Sequence, residues 1–163
     1  MSVYTLGDVE TIKNLLLKLH ETVAVAESVT SGHLQAALSL AEDARRVFQG
    51  GITVYNVGQK CRQLGVEPVH ALECDGVSPL VAEEMARSVA ERFCASFGIG
   101  ITGYAAPVPE KNIEETYAFF CIYGRGKSLK LERLEGPDED AITVQVFYVN
   151  SVLDAFREVL QGI

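Results

Sequence analysis

A chain of 163 residues can bury roughly 70% of the surface its unfolded form exposes, so a single domain of this length needs no disulfide or metal staple. Its 48% hydrophobic and 22% charged residues are ordinary globular usage and argue against both a disordered chain and a membrane protein. The net charge of −8 opposes general nucleic-acid binding, which needs a concentrated basic surface; a small anionic ligand stays compatible, because distant charge is screened within about 10 Å at ordinary salt.

The opening MSVYTLGDVETIKNL carries acidic residues where a signal peptide has a basic region and an apolar core, so the chain is expected to stay in the cytoplasm. No uninterrupted apolar run is long enough to span a bilayer. Asp8 to His20 places Ile12, Leu15, Leu16 and Leu19 at helical spacing, with Asp8 as the candidate cap. Thr22 to Ala26 is a short β-branched and small apolar run that fits a buried strand, and the polar stretch Glu27 to Gly32 follows it directly. His33 to Glu42 returns to a helical period.

Phe48 to Tyr55 reads as a second strand, in which Gly50-Gly51 marks a bulge or a close backbone approach. Asn56 to Leu64 then suggests a short helix carrying Lys60. Ser78-Pro79 opens a long helix to about Ser96, with Ser78 as N-cap and Pro79 at the first helical position. Phe97 to Thr102 is a third strand ending at Gly103. Thr116 to Tyr123 and Ser128 to Leu134 form a hairpin around Gly124-Arg125-Gly126-Lys127. The last segment, Asp138 to about Leu160, is a helix despite its β-branched Ile142, Thr143, Val144, Val146 and Val149. Strands alternating with helices, then a hairpin and a closing helix, predict one α/β domain: a three-layer α/β/α sandwich with a mixed sheet.

Ligands of such sheets bind beyond the carboxyl ends of the strands. Ser28 and Thr30 stand just ahead of a helix, where free backbone N–H groups and the helix dipole can hold an anion or a developing oxyanion. The same residues, with Ser31, are also the types that simply cap helices. Lys60 lies five residues beyond the second strand and would serve as a base for Ser28 if burial lowered its pKa toward 7 to 8; otherwise it is an ordinary solvated lysine. Tyr55 would relay a proton or hold the lysine, or else belong to the core. The four cysteines and three histidines are dispersed without a CxxC, HxxxH or HExxH pattern, so no metal or cofactor is expected and the thiols are read as reduced and in or near the core.

These motifs resemble the CinA C-terminal domain family over most of the chain. Ala26-Glu27-Ser28-Val29-Thr30-Ser31-Gly32 resembles the family's A-E-S-x-T-G-G. Phe48-Gln49-Gly50-Gly51 through Tyr55 and Lys60 resembles its F-x-G-G-x-x-x-Y-S-N-x-x-K, and Leu64-Gly65-Val66, Gly76-Val77-Ser78 and Ile101-Thr102-Gly103 recur in the same order. The resemblance implies hydrolysis of the carboxamide of nicotinamide mononucleotide, without a metal. It implies Ser28 as nucleophile, Lys60 as base and Tyr55 as an assisting group, with Thr30, Ser31, Gly32, Asn56, Thr102 and Gly103 on the substrate side. The implied partner is a small amide or nucleotide, not a nucleic acid or a membrane; homo-oligomerisation and a catalytically silent ligand- or partner-binding role are both left open.

The sequence departs from the family at the other end of the site. A glycine-rich G-x-A-G-P-G-G loop is here Gly103-Tyr104-Ala105-Ala106-Pro107-Val108-Pro109, and K-P-V-G-T is Lys111-Asn112-Ile113-Glu114-Glu115-Thr116. An arginine-bearing G-x-R-x-x-V-R is Pro137 to Thr143 with no arginine, so carboxylates are expected where cations would hold a phosphate.

Overall fold

A computed structural model of the chain describes residues 2–163. Its strands are β1 (Val23–Glu27), β2 (Phe48–Thr53), β3 (Phe97–Tyr104), β4 (Tyr117–Gly124) and β5 (Lys127–Glu135), and they form one sheet in the order β2-β1-β3-β4-β5. β1 is parallel to β2 and β3, whereas β3–β4 and β4–β5 are antiparallel, so the expected mixed sheet is present. Its helices are α1 (Leu6–Leu19), α2 (His33–Ser39), α3 (Val57–Leu64), α4 (Pro68–Glu73), α5 (Pro79–Arg92) and α6 (Ala141–Gln161).

The two-residue period of the strands sorts the core into two layers. Val23 and Val25 of β1 and Phe97, Ile99 and Ile101 of β3 pack with α1, α2 and α6. Ala24 and Ala26 point the other way, onto Leu64 of α3, Ala71 of α4, and Val81, Met85 and Val89 of α5. All five β1 residues are buried, as a central parallel strand covered on both faces requires.

β3 puts large side chains on one face and Gly98 and Gly100 on the other, and this asymmetry draws α5 close. A Cβ at Gly98 would overlap the Ala86 carbonyl, and one at Gly100 the Ala82 carbonyl. Gly98→Val is therefore expected to lower stability by about 3 kcal/mol or to abolish soluble folding, read by urea denaturation. A variant within about 0.5 kcal/mol of the parent would mean α5 can move aside freely.

Several local expectations need correction. Thr5 occupies the N-cap of α1 and makes no side-chain cap; Asp8 sits inside the first turn, where its carboxylate lies 2.9 Å from Arg157 Nε. β3 runs on to Tyr104, past the end expected at Thr102 and Gly103, so both residues lie well within the strand. α4 was not anticipated. At six residues it shows too little periodicity, and its start is marked by Pro68 and by Glu67, whose carboxylate accepts from Val69 N at 3.0 Å and His70 N at 2.7 Å. α6 begins at Ala141, and its β-branched Val144, Val149 and Val152 are fully buried, so packing overrides their weak helix propensity.

Other expectations are met. Ser78 caps α5 by accepting from Val81 N at 3.1 Å, with Pro79 at the first position. The register between β1 and β2 slips near Gln49, the bulge read from Gly50-Gly51. Of the cysteines, Cys121 is buried and Cys61 and Cys74 are partly buried against the core, as expected, whereas Cys94 is exposed. Among the described residues no helix is long and apolar enough to cross a membrane.

Candidate active site

The ladder between β1 and its neighbours continues one step past the strand: Val54 N donates to Glu27 O at 2.8 Å and Ser28 N to Ile101 O at 3.1 Å. Ser28 is thereby held at the carboxyl end of the sheet, 5% exposed. The turn beyond it is fixed by Glu27, a fully buried carboxylate that accepts from Thr30 Oγ1 at 2.6 Å, Leu34 N at 2.7 Å and Gln35 N at 3.0 Å. This changes one expectation. The first amides of α2 are not free for an anion, because Glu27 already satisfies two of them. The donors left beside Ser28 are the amides of Val29 and Thr30, which have no acceptor among the described residues.

Lys60 comes from α3, whose start is set by Asn56: its side-chain oxygen accepts from Gln59 N at 2.9 Å. One turn further, Lys60 points inward and is only 3% exposed. Its Nζ lies 2.8 Å from Ser28 Oγ. Burial pulls its pKa down to about 8, against the opposing pull of the Asp75 carboxylate and the Cys74 and Cys61 thiols. The ammonium form donates to Ser28 Oγ; the neutral amine can accept the serine proton.

The stem of Lys60 is clamped by the turn Asp75-Gly76, in which both residues have left-handed backbone (φ 54° and 69°). A Cβ at Gly76 would stand 3.3 Å from Lys60 Cδ, so glycine allows the turn to close over the lysine. Thr102, expected to line the site, instead donates from Oγ1 to the Gly76 carbonyl at 2.7 Å and pins the turn from behind. Thr102→Val should leave that carbonyl unpaired and loosen the clamp. If Ser28 and Lys60 act as nucleophile and base, the expected result is a roughly tenfold loss in kcat with KM little changed, together with a displaced pH–rate profile, and rescue by Thr102→Ser. An unchanged pH profile would reduce Thr102 to a structural contact.

A cavity of about 460 Å³ opens over Ser28 and Lys60. Of the residues expected at the site, Tyr55, Asn56 and Gly103 line it, Thr30 and Thr102 are buried behind it, and Ser31 and Gly32 lie outside its wall. Tyr55 is 70% exposed at the mouth, and no hydrogen bond joins it to Ser28 or Lys60. The pair brought together is Ser28 and Lys60.

Sequence reading missed Asp75, Lys111 and Gln145, all in the cavity wall, and gave Tyr104 no role. Asp75 Oδ2 accepts from Lys111 Nζ at 2.7 Å and from Tyr104 OH at 3.0 Å. Burial would raise the Asp75 pKa, but these hydrogen bonds and the charges of Lys111 and Lys60 bring it below the usual value. Gln145 Nε2 donates to Val29 O at 2.8 Å. Asp75-Gly76 is a turn signal in the sequence, yet nothing local says that the turn lies over Lys60. The carboxylates expected in the wall near the last helix are elsewhere. Asp138 and Glu139 border a separate cleft, and Asp140 caps α6, leaving Ala141 and Gln145 in the wall.

A buried serine hydroxyl in contact with a desolvated lysine amine, at the carboxyl ends of adjacent parallel strands, marks an α/β protein with a serine–lysine pair. The profile of the CinA C-terminal domain matches residues 8–160, and the chain belongs to that family. It is 35% identical over 150 residues to a CinA-like protein of Prochlorococcus marinus, a match that covers 91% of this chain and 35% of that protein. It is 32% identical to Protein MG115 of Mycoplasma genitalium, covering 91% and 94% of the two chains. The chain thus spans about a third of the length of the cyanobacterial relative and nearly all of the mycoplasmal one. Its fold is similar to the crystal structure of a competence or damage-inducible protein from Enterobacter asburiae, with a TM-score of 0.90 and 25% identity over 96% of this chain and 98% of that one.

Proposed function

We propose that the chain is an amidohydrolase in which Ser28 is the nucleophile and Lys60 the general base. The observation that carries this reading is the 2.8 Å approach of Lys60 Nζ to Ser28 Oγ in a buried setting that holds the amine near pKa 8, where its neutral form is accessible at neutral pH. Neutral Lys60 takes the Ser28 proton as Oγ bonds to the carboxamide carbon, and the carbonyl electron pair moves onto oxygen. The free amides of Val29 and Thr30 are the donors for that oxyanion. The Lys60 ammonium then gives its proton to the amide nitrogen, the C–N bond breaks, and ammonia leaves an acyl-Ser28. Water, deprotonated by Lys60, attacks the acyl carbon; the Oγ–C bond breaks and the proton returns to Oγ. Carboxamide and water become carboxylate and ammonium.

Family membership makes nicotinamide mononucleotide the first amide to test, and Tyr55, exposed in the cavity wall, is the group we assign to orient it. The measurement is ammonia release by the purified chain. Turnover that persists undiminished in Ser28→Ala would reject the assignment. A second reading, a silent ligand binder, is favoured by one observation: the loop over the cavity carries Ala106 and Val108, followed by Pro109, where the family's loop has glycines. Tight amide binding without ammonia release would select it.

A further inference from the structure

Beyond the Ser28–Lys60 pair the cavity wall has the three devices that proteins use to hold a phosphate or carboxylate, and each is engaged wholly or in part within the chain. The first is a cation. Apart from Lys60, which is committed to Ser28, the wall has one, Lys111, and its ammonium is on the Asp75 carboxylate at 2.7 Å. That pair is half exposed and weak by itself. What opposes an anion is that drawing Lys111 away leaves Asp75, in the same wall, facing the newcomer with like charge.

The second device is a nest of backbone amides. In the strap from Tyr104 to Ile113, Pro107 and Pro109 have no N–H, Val108 N donates to Ile113 O at 2.9 Å, and Lys111 N donates to Val108 O at 2.9 Å. Beyond strand β3, only Ala105 and Ala106 among the strap's cavity-lining residues keep an unengaged amide. The third is a helix N-terminus. α6 starts at the wall with Ala141, whose own amide has no acceptor among the described residues, but the next two amides are closed by Asp140, which accepts from Ile142 N at 3.0 Å and Thr143 N at 3.2 Å. The remaining wall is apolar or neutral: Val57, Val77 and Ala141, with Asn56 and Gln145 as amide hydrogen-bonding groups.

From this geometry we infer that the substrate is a carboxamide whose end remote from the scissile bond carries no phosphate or carboxylate, with Asp75 as the residue that sets this preference by holding Lys111. The inference rests on the amidohydrolase reading for its chemistry, but selectivity can be read from binding as well as from turnover. The step remains R–CO–NH2 plus water to R–COO− plus NH4+, with R free of anionic groups at its far end.

The test uses two amides that differ only by a phosphate, nicotinamide riboside and nicotinamide mononucleotide. The ratio of kcat/KM values is measured by ammonia release, and the ratio of Kd values by calorimetry on Ser28→Ala. The riboside is expected to be preferred by about tenfold or more in both. Asp75→Asn, which frees Lys111, should move the ratio toward the mononucleotide by about tenfold, whatever its effect on absolute rate. A wild-type preference for the mononucleotide, or a ratio that Asp75→Asn leaves unmoved, overturns the inference while sparing the amidase. If neither compound releases ammonia, the amidase reading fails on these amides and binding decides. Tighter riboside binding sustains the neutral-ligand site, and tighter mononucleotide binding, or none of either, overturns it.

Discussion

Under the proposed mechanism, ammonia release is expected to fall by at least about a thousandfold in both Ser28→Ala and Lys60→Ala, because removing either member of a nucleophile–base pair removes the step the other serves. In the parent, kcat/KM should rise with pH through about 8, the value to which burial lowers Lys60, since only the neutral amine can accept the serine proton. Stability follows the same group with a definite sign. The folded-state pKa lies below the ordinary lysine value of 10.5, so the unfolded chain binds more protons between about pH 8 and 10.5, and stability rises with pH across that window. Below pH 8 the cost of burying the charged amine is fully present. Lys60→Met should therefore abolish activity yet raise stability, by on the order of 3 kcal/mol at most. A thermal melt reads this directly: an inactive Met variant that is also clearly less stable than the parent would show that Lys60 is held by compensating contacts, and the tension between function and fold at this position would be gone.

The largest stability effect is expected at Glu27. Its carboxylate is completely buried and serves Thr30 Oγ1, Leu34 N and Gln35 N at once. Glu27→Ala leaves two backbone donors and a hydroxyl without an acceptor in a place closed to water, at a cost of roughly 3–5 kcal/mol out of the 5–15 kcal/mol typical of a domain. Glu27→Gln keeps the shape but must turn an NH2 toward a donor, and should lose about half as much. Because the same carboxylate fixes the turn that carries Ser28, activity should fall more steeply than stability in the Gln variant. Urea denaturation is the measurement, and an Ala variant within 1 kcal/mol of the parent would show that the Glu27 network is not what holds this turn.

The residues that chain-local rules could find are those whose position depends on their own strand or helix. Ser28 follows β1, and Lys60 lies one turn into a helix after β2, so the rule that sites form at strand carboxyl ends sufficed to pair them as candidates. Asp75, Lys111 and Gln145 escape such a rule. They belong to the α4–α5 turn, the strap after β3 and the last helix, three segments separated by long stretches of chain that only the packed topology brings to one cavity. Glu27 illustrates an intermediate case: it stood in the motif beside Ser28, but its burial and its three donors depend on α2 folding back over it.

By itself the sequence determined the alternation of buried strands and amphipathic helices, the hairpin, the helix start at Ser78-Pro79 and the serine and lysine at strand exits, because periodicity, capping and turn chemistry are properties of a few neighbouring residues. Tertiary structure alone decided that Lys60 is dry enough to sit near pKa 8, that Thr102 works through Gly76, and that Lys111 answers to Asp75. The physical reason is that burial and charge pairing are set by distances between segments remote in sequence, and those distances exist only once β1, β2 and β3 lie side by side with α5 pressed onto the glycines of β3.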